Sequence, residues 1–256
     1  MATWEDLLRS VVDFAGSRIF PDIPSDEEAD ATILHSRIQP NELLDRVFGG
    51  FSEISDTYEM MKDVEIYLRQ FPYSRSGITR GRHLLFLVQS YLNEVYILRK
   101  RLITYATTLE RTYRKSPRSI EIAKITEKAR MLAEKAFNNL SSVRGSHVHG
   151  RRFVDERLRH FLGTELIVTH SDTGRLGPND RRYMEWEYKE VRRDWVKRVR
   201  AINESAGKLL NMCAALLHGI LFDSSGNFIE PERGAYAAPN PSAAPDANRT
   251  SRGRRR

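Results

Sequence analysis

A periodic apolar stripe from Leu84 to Leu109 constrains this chain more than any other feature. Leu84, Val88, Tyr91, Val95, Leu98, Leu102, Tyr105 and Leu109 follow one another in steps of four and three. Residues so spaced fall on one face of an α-helix. Unbroken from Arg82 to Arg114, such a helix is roughly 50 Å long, and its stripe is that of a bundle or coiled-coil-like helix.

The flanking segments repeat the pattern. Leu44, Val47, Phe51, Ile54, Tyr58, Met61, Ile66 and Leu68 predict a preceding helix that Pro72 and the polar turn after it stop. Gly49 and Gly50 weaken its first turns and permit a bend or a close helix crossing. Ser116-Pro117 breaks the long helix, and Pro117 suits the first turn of the next. There Ile122, Ile125, Ala129, Leu132, Ala136 and Leu140 keep the helical period. Short connections between long helices predict antiparallel neighbours, so the expected fold is an all-α, up-and-down bundle of long amphipathic helices.

Beyond Gly150 a further helix is expected, although its end, "TELIVT", equally suits a strand. A last long helix is expected from about Asp180 to Phe222, charged in its first half and apolar in its second. We divide the chain into 1–39, a short helix (Trp4–Phe14) with a Pro-containing acidic linker; 40–228, the helical domain; and 229–256. That last segment is rich in Pro, Ala, Ser and Arg without hydrophobic pattern, and is expected to be a disordered basic tail.

Composition narrows the classes of function. Apolar residues make up 40% and charged residues 29%, which suits a water-exposed helical protein and predicts no membrane partner. The most apolar run, Leu209–Phe222, is too short to span a bilayer and contains Asn211 and His218. The N-terminus lacks a secretory pattern. The single Cys213 reads as a small buried hydrophobe in a reducing, cytoplasmic compartment. The formal net charge is +7, but Arg249, Arg252, Arg254, Arg255 and Arg256 against Asp246 account for +4 of it, leaving +3 for the rest.

The stretch "SSVRGSHVHG", residues 141–150, concentrates Arg144, His147 and His149 where the third long helix ends. Histidine titrates near neutral pH, so it can take the proton of a ribose 2′-OH or give one to a leaving 5′ oxygen. Arginine can hold the phosphate and stabilise the charge that develops on it. This chemistry cleaves RNA by internal transesterification and requires no metal or other cofactor. On a continuous helix, however, Arg144 and His149 stand about 140° apart. They work together within one chain only if the helix breaks near Gly145; otherwise each must meet groups from a second copy.

An arginine, four residues and a histidine, late in a bundle of long helices, resembles the R-x4–6-H signature of HEPN domains. The aromatic-rich segment "SYLNEVYILRKRLITYATTLERTYRK" and the amphipathic helix running into the motif add to the likeness, which covers roughly residues 40–222. The resemblance implies a metal-independent endoribonuclease, or an RNA- or nucleotide-binding relative, whose motifs pair across a homodimer. Such proteins often act in toxin–antitoxin or antiviral systems, with an antitoxin or regulatory partner. Carried over, Arg144 contacts phosphate and His149 does acid–base work. Ser146, His147, Arg151 and Arg152 are the candidate substrate-binding residues. The family usually has a polar residue directly after the arginine, where this chain has Gly145.

Other features read more plainly. His160 and His170 lack metal-ligand spacing, and His147-x-His149 needs a further ligand to hold zinc, so no metal site is expected. The cations between Arg181 and Arg200 alternate with Glu185, Glu187, Glu190 and Asp194. That pattern predicts a solvated face laced with i, i+4 ion pairs. The alternative to a ribonuclease is a non-catalytic interaction or scaffold protein that assembles through its bundle.

Overall fold

The structure, a computed structural model, describes residues 2–19, 45–71, 77–149, 155–170 and 178–231, and the side chains of 16–19, 45, 138–149 and 178 lie outside the description. Among the described residues the fold is an all-α bundle. Its helices are α1 (Trp4–Ile19), α2 (Gly50–Tyr67, entered through a π-helical turn at Asp45–Gly49), α3 (Arg80–Thr112) and α4 (Ser119–His149). They are followed by α5 (Glu156–His170) and α6 (Pro178–Leu221). "TELIVT" is helical and belongs to α5. The linker 20–40, Arg151, Arg152 and the tail from residue 232 lie outside the described residues.

All of the Leu84–Leu109 stripe is buried, at no more than 4% exposure. It places α3 at the centre, in contact with α2, α4, α5 and α6. Cross-helix bonds give the directions. Arg101 of α3 reaches back to Glu53 and Thr57 of α2, and Arg130 of α4 pairs with Glu110 of α3, so α2, α3 and α4 alternate up and down. Arg80 meets Glu185 and Tyr91 meets Asn203, so α6 runs parallel to α3. The 44-residue α6, about 66 Å long, spans the bundle. Its first half packs on α5 and its second on α1 and α4.

Two inward registers differ from the expected ones. Ile66 is 53% exposed, and Val64 takes its place, because three residues from Met61 and four from Leu68 restores the step of the stripe. On α4 the buried seam is Ile122, Thr126, Ala129, Ala133 and Phe137, with Ile125 and Leu132 flanking it and Ala136 exposed. Gly50 does mark a close crossing: an added Cβ would lie 2.7 Å from the Tyr105 ring, while Gly49 has open space. Helix α1 extends five residues beyond Phe14 and adds Trp4, Leu7 and Val11 to the same core. Past α6, Gly226 (φ +80°) turns the chain back, so that Phe228 stacks on Phe14 and the Tyr113 hydroxyl donates to the Ile229 carbonyl. Cys213 is 1% exposed and its thiol is pushed up to about 12 by burial, which leaves it a packing group.

One buried polar cluster pins α3, α2 and α6 in register. The Tyr91 hydroxyl donates to Asn203 Oδ1 (2.8 Å), and Asn203 Nδ2 donates to the Met61 carbonyl (3.3 Å). Burial raises the Tyr91 phenol well above its usual range, so it stays a donor. Asn203→Ala is expected to lower stability by about 2 kcal/mol, since it removes two buried hydrogen bonds, leaving the Tyr91 hydroxyl only its bond to the Val199 carbonyl (3.2 Å). Urea denaturation, read as a shift in midpoint at constant slope, measures this.

Candidate functional site

The motif lies on the last turns of α4, whose backbone is helical through Gly145 and ends at His149. The side chains of Arg144, Ser146, His147 and His149 lie outside the described residues. The helix does not break at Gly145, so the five-residue step from Arg144 to His149 turns about 500°, leaving them about 140° apart around the axis. Whatever joins the two groups in one reaction is therefore not a kink in this helix.

The far side of the connection is anchored. Asp155 caps α5, its Oδ1 accepting from the Leu158 amide (2.7 Å), and its Oδ2 accepts from Arg198 of α6 (2.9 Å). Arg157 pairs with Asp194 one turn away on α6. Six residues of chain hold His149 within roughly 22 Å of Asp155. The motif-bearing end of α4 is thus tethered near the middle of α6.

That part of α6 differs from the expected face of i, i+4 pairs. Its acids are taken by other helices: Glu185 by Arg80 of α3, Asp194 by Arg157 of α5, and Glu187 by the His160 imidazole. Within α6 the ion pair present among the described residues is Arg193–Glu190. Arg181, Arg182, Lys189 and Lys197 have no ion-pair partner among the described residues, so the face carries surplus positive charge.

An open groove of about 290 Å³ runs along this face, lined by Arg69 at the end of α2 and by Lys189, Arg192, Arg193, Val196 and Arg200 of α6. Arg69 and Arg200 share one carboxylate, that of Glu65, at 2.6 and 3.1 Å. Burial raises the Glu65 pKa, but the two guanidiniums outweigh it and hold the group below the usual carboxylate range. Arg192 lies over the Tyr188 ring, 5.3 Å from its centroid. At the upstream end, Tyr183 and Trp186 are 49% and 56% exposed, with ring centroids 5.8 Å apart. Sequence reasoning passed over these two aromatics; the signal was their position off the buried register of Tyr188, Val191, Trp195 and Val199.

A larger cavity, about 580 Å³, lies between the end of α2 and the start of α3, lined by Tyr67, Gln70, Ile78, Arg82, His83 and Phe86 among others. Burial lowers the His83 pKa, and its ring stands edge-on to Phe71. Its described lining brings no nucleophile and base together. Among the described residues no group of three or more His, Cys, Asp or Glu could hold a metal ion, and no helix is long and apolar enough to cross a membrane. No family model, curated protein or solved structure matches this chain.

Proposed function

We propose that this chain is an HEPN-like, metal-independent endoribonuclease acting as a homodimer, of the kind found in toxin–antitoxin and antiviral systems. The observation that carries the reading is the Arg144-x4-His149 motif on the final turns of a bundle helix that follows two other long helices in alternating directions. In the proposed reaction His149 takes the 2′-OH proton while the 2′ oxygen bonds to the adjacent phosphorus. The P–O5′ bond breaks, and the leaving oxygen gains a proton from a second acid, for which His147 is the nearest candidate in sequence. The products are a 2′,3′-cyclic phosphate and a 5′-hydroxyl. Arg144 balances the charge on the pentacoordinate phosphate. Arg151 and Arg152, with Ser146, contact the flanking phosphates.

Incubating the purified protein with mixed RNAs in excess chelator tests the proposal. Fragments ending in 2′,3′-cyclic phosphate are the expected result. RNA left intact, with and without a co-purified partner, would overturn it in favour of an interaction protein. The exposed Phe86 (66%), Leu166 (61%) and Ile167 (63%) would then be the apolar contacts on offer to a partner.

A further inference from the structure

We infer that the cationic groove between the end of α2 and the first half of α6 is a docking path for single-stranded RNA, with Tyr183 and Trp186 as its base-stacking end. The choice of RNA as ligand rests on the ribonuclease reading; the path itself rests on charge and exposure. Arg69, Lys189, Arg192, Arg193 and Arg200 stand in or beside the groove, and among the described residues their ion-pair partners are the carboxylates of Glu65 and Glu190. Two of those arginines divide a single carboxylate, and Lys189 has none among the described residues, so a polyanion finds cations that need not abandon a partner one for one.

The residues also share a face. Trp186, Lys189, Arg193, Lys197 and Arg200 recur at three- and four-residue steps, so they form one stripe about 21 Å long along α6. The stripe faces away from the buried seam, and each member is exposed. A duplex keeps its base faces stacked inside and offers none to such rings. The exposed pair of rings favours a single strand, whose unpaired bases offer their faces for stacking while the backbone follows the cations. Polar and charged contacts then hold the strand without regard to its sequence.

The test is fluorescence anisotropy with a labelled 2′-O-methyl oligoribonucleotide of about 12 nucleotides, whose blocked 2′ oxygen separates binding from cleavage. Wild-type protein is expected to bind it with an affinity that falls steeply with salt. The double variant Lys189→Glu, Arg193→Glu should weaken binding at least tenfold and reduce the salt slope by about 1.4 or more, near 0.7 per lost phosphate contact. Trp186→Ala should weaken single-strand binding about tenfold, with Trp186→Phe largely restoring it and duplex RNA unaffected. Circular dichroism of these surface variants should match wild type.

Binding unchanged in the charge variant, no binding by wild type, or a Trp186→Ala variant that binds single strands as wild type does would each overturn the inference. The two proposals fail separately. Groove-dependent binding without any cleavage of natural RNA removes the ribonuclease and keeps the path. Cleavage that needs Arg144 and His149, with groove variants binding and cutting normally, removes the path and keeps the ribonuclease.

Discussion

RNA cleavage is expected to fall by about a hundredfold to ten-thousandfold in His149→Ala, and by about a hundredfold to a thousandfold in Arg144→Ala, without loss of folding. The informative experiment joins the two variants. Because α4 continues through Gly145, the proposed site draws Arg144 from one protomer and His149 from its partner. A heterodimer of the two variants then holds one dead site, with both groups missing, and one intact site. Co-expressing the variants with different tags should therefore restore roughly a quarter of wild-type activity, since half of randomly formed dimers are mixed and each has one working site. The purified heterodimer alone should approach half. A mixture as inactive as its parents would sink the shared site, whatever the single variants do.

Glu165→Ala is expected to cost about 3 kcal/mol, or roughly 6–12 °C in Tm for a domain of this size. The carboxylate is only 7% exposed, yet it belongs to α5 and does its work at the start of α3. Both of its oxygens accept from the Gly81 amide, at 2.9 and 3.0 Å, and Oε2 also accepts from the Thr79 hydroxyl at 2.7 Å. The first turn of a helix has amides with no partner of their own, and its dipole favours a negative charge there. Alanine would leave the buried Gly81 amide unmatched and take a partner from the half-buried Thr79 hydroxyl. Glu165→Gln keeps the shape but turns one end of the side chain into a donor facing donors, so it should lose about half as much. Thermal unfolding followed at 222 nm compares the three proteins. The packing explains why residue 81 is glycine: a Cβ there would come within 2.3 Å of Glu165 Oε2 and 2.7 Å of Leu162.

These two sites show what could be read from the chain and what could not. The helical stripe of α3 was legible because burial on one face imposes a period on neighbouring residues, and every member is inside. The same period mislaid Ile66 and shifted the α4 seam, since an apolar residue one place off the face costs little and still looks like part of a stripe. Glu165 was invisible: a carboxylate among apolar residues reads as solvent-facing, and its partners lie 84 and 86 residues away. The ion pairs of α6 failed for the same reason. Local spacing matched each acid to a cation on its own helix, whereas most of the acids pair across helices. Arg144 and His149 were legible as a spacing, and the helical backbone between them adds the turn angle that separates them.

The contact between α1 and α6 has a consequence for how the molecule is made. The Trp4 amide donates to Asn211 Oδ1 across 207 residues of chain, and Phe14 stacks on Phe228. On a ribosome adding about 5–20 residues per second, the partner of α1 emerges some ten to forty seconds after α1 itself. Throughout that interval α1, whose Trp4, Leu7, Val11 and Ala15 are all at 6% exposure or less in the folded chain, has Phe51 and Ser55 of α2 to pack on but not yet the surface of α6. Until α6 emerges, the apolar face of α1 is thus only partly covered, and a chaperone that grips short apolar helices has its opportunity there.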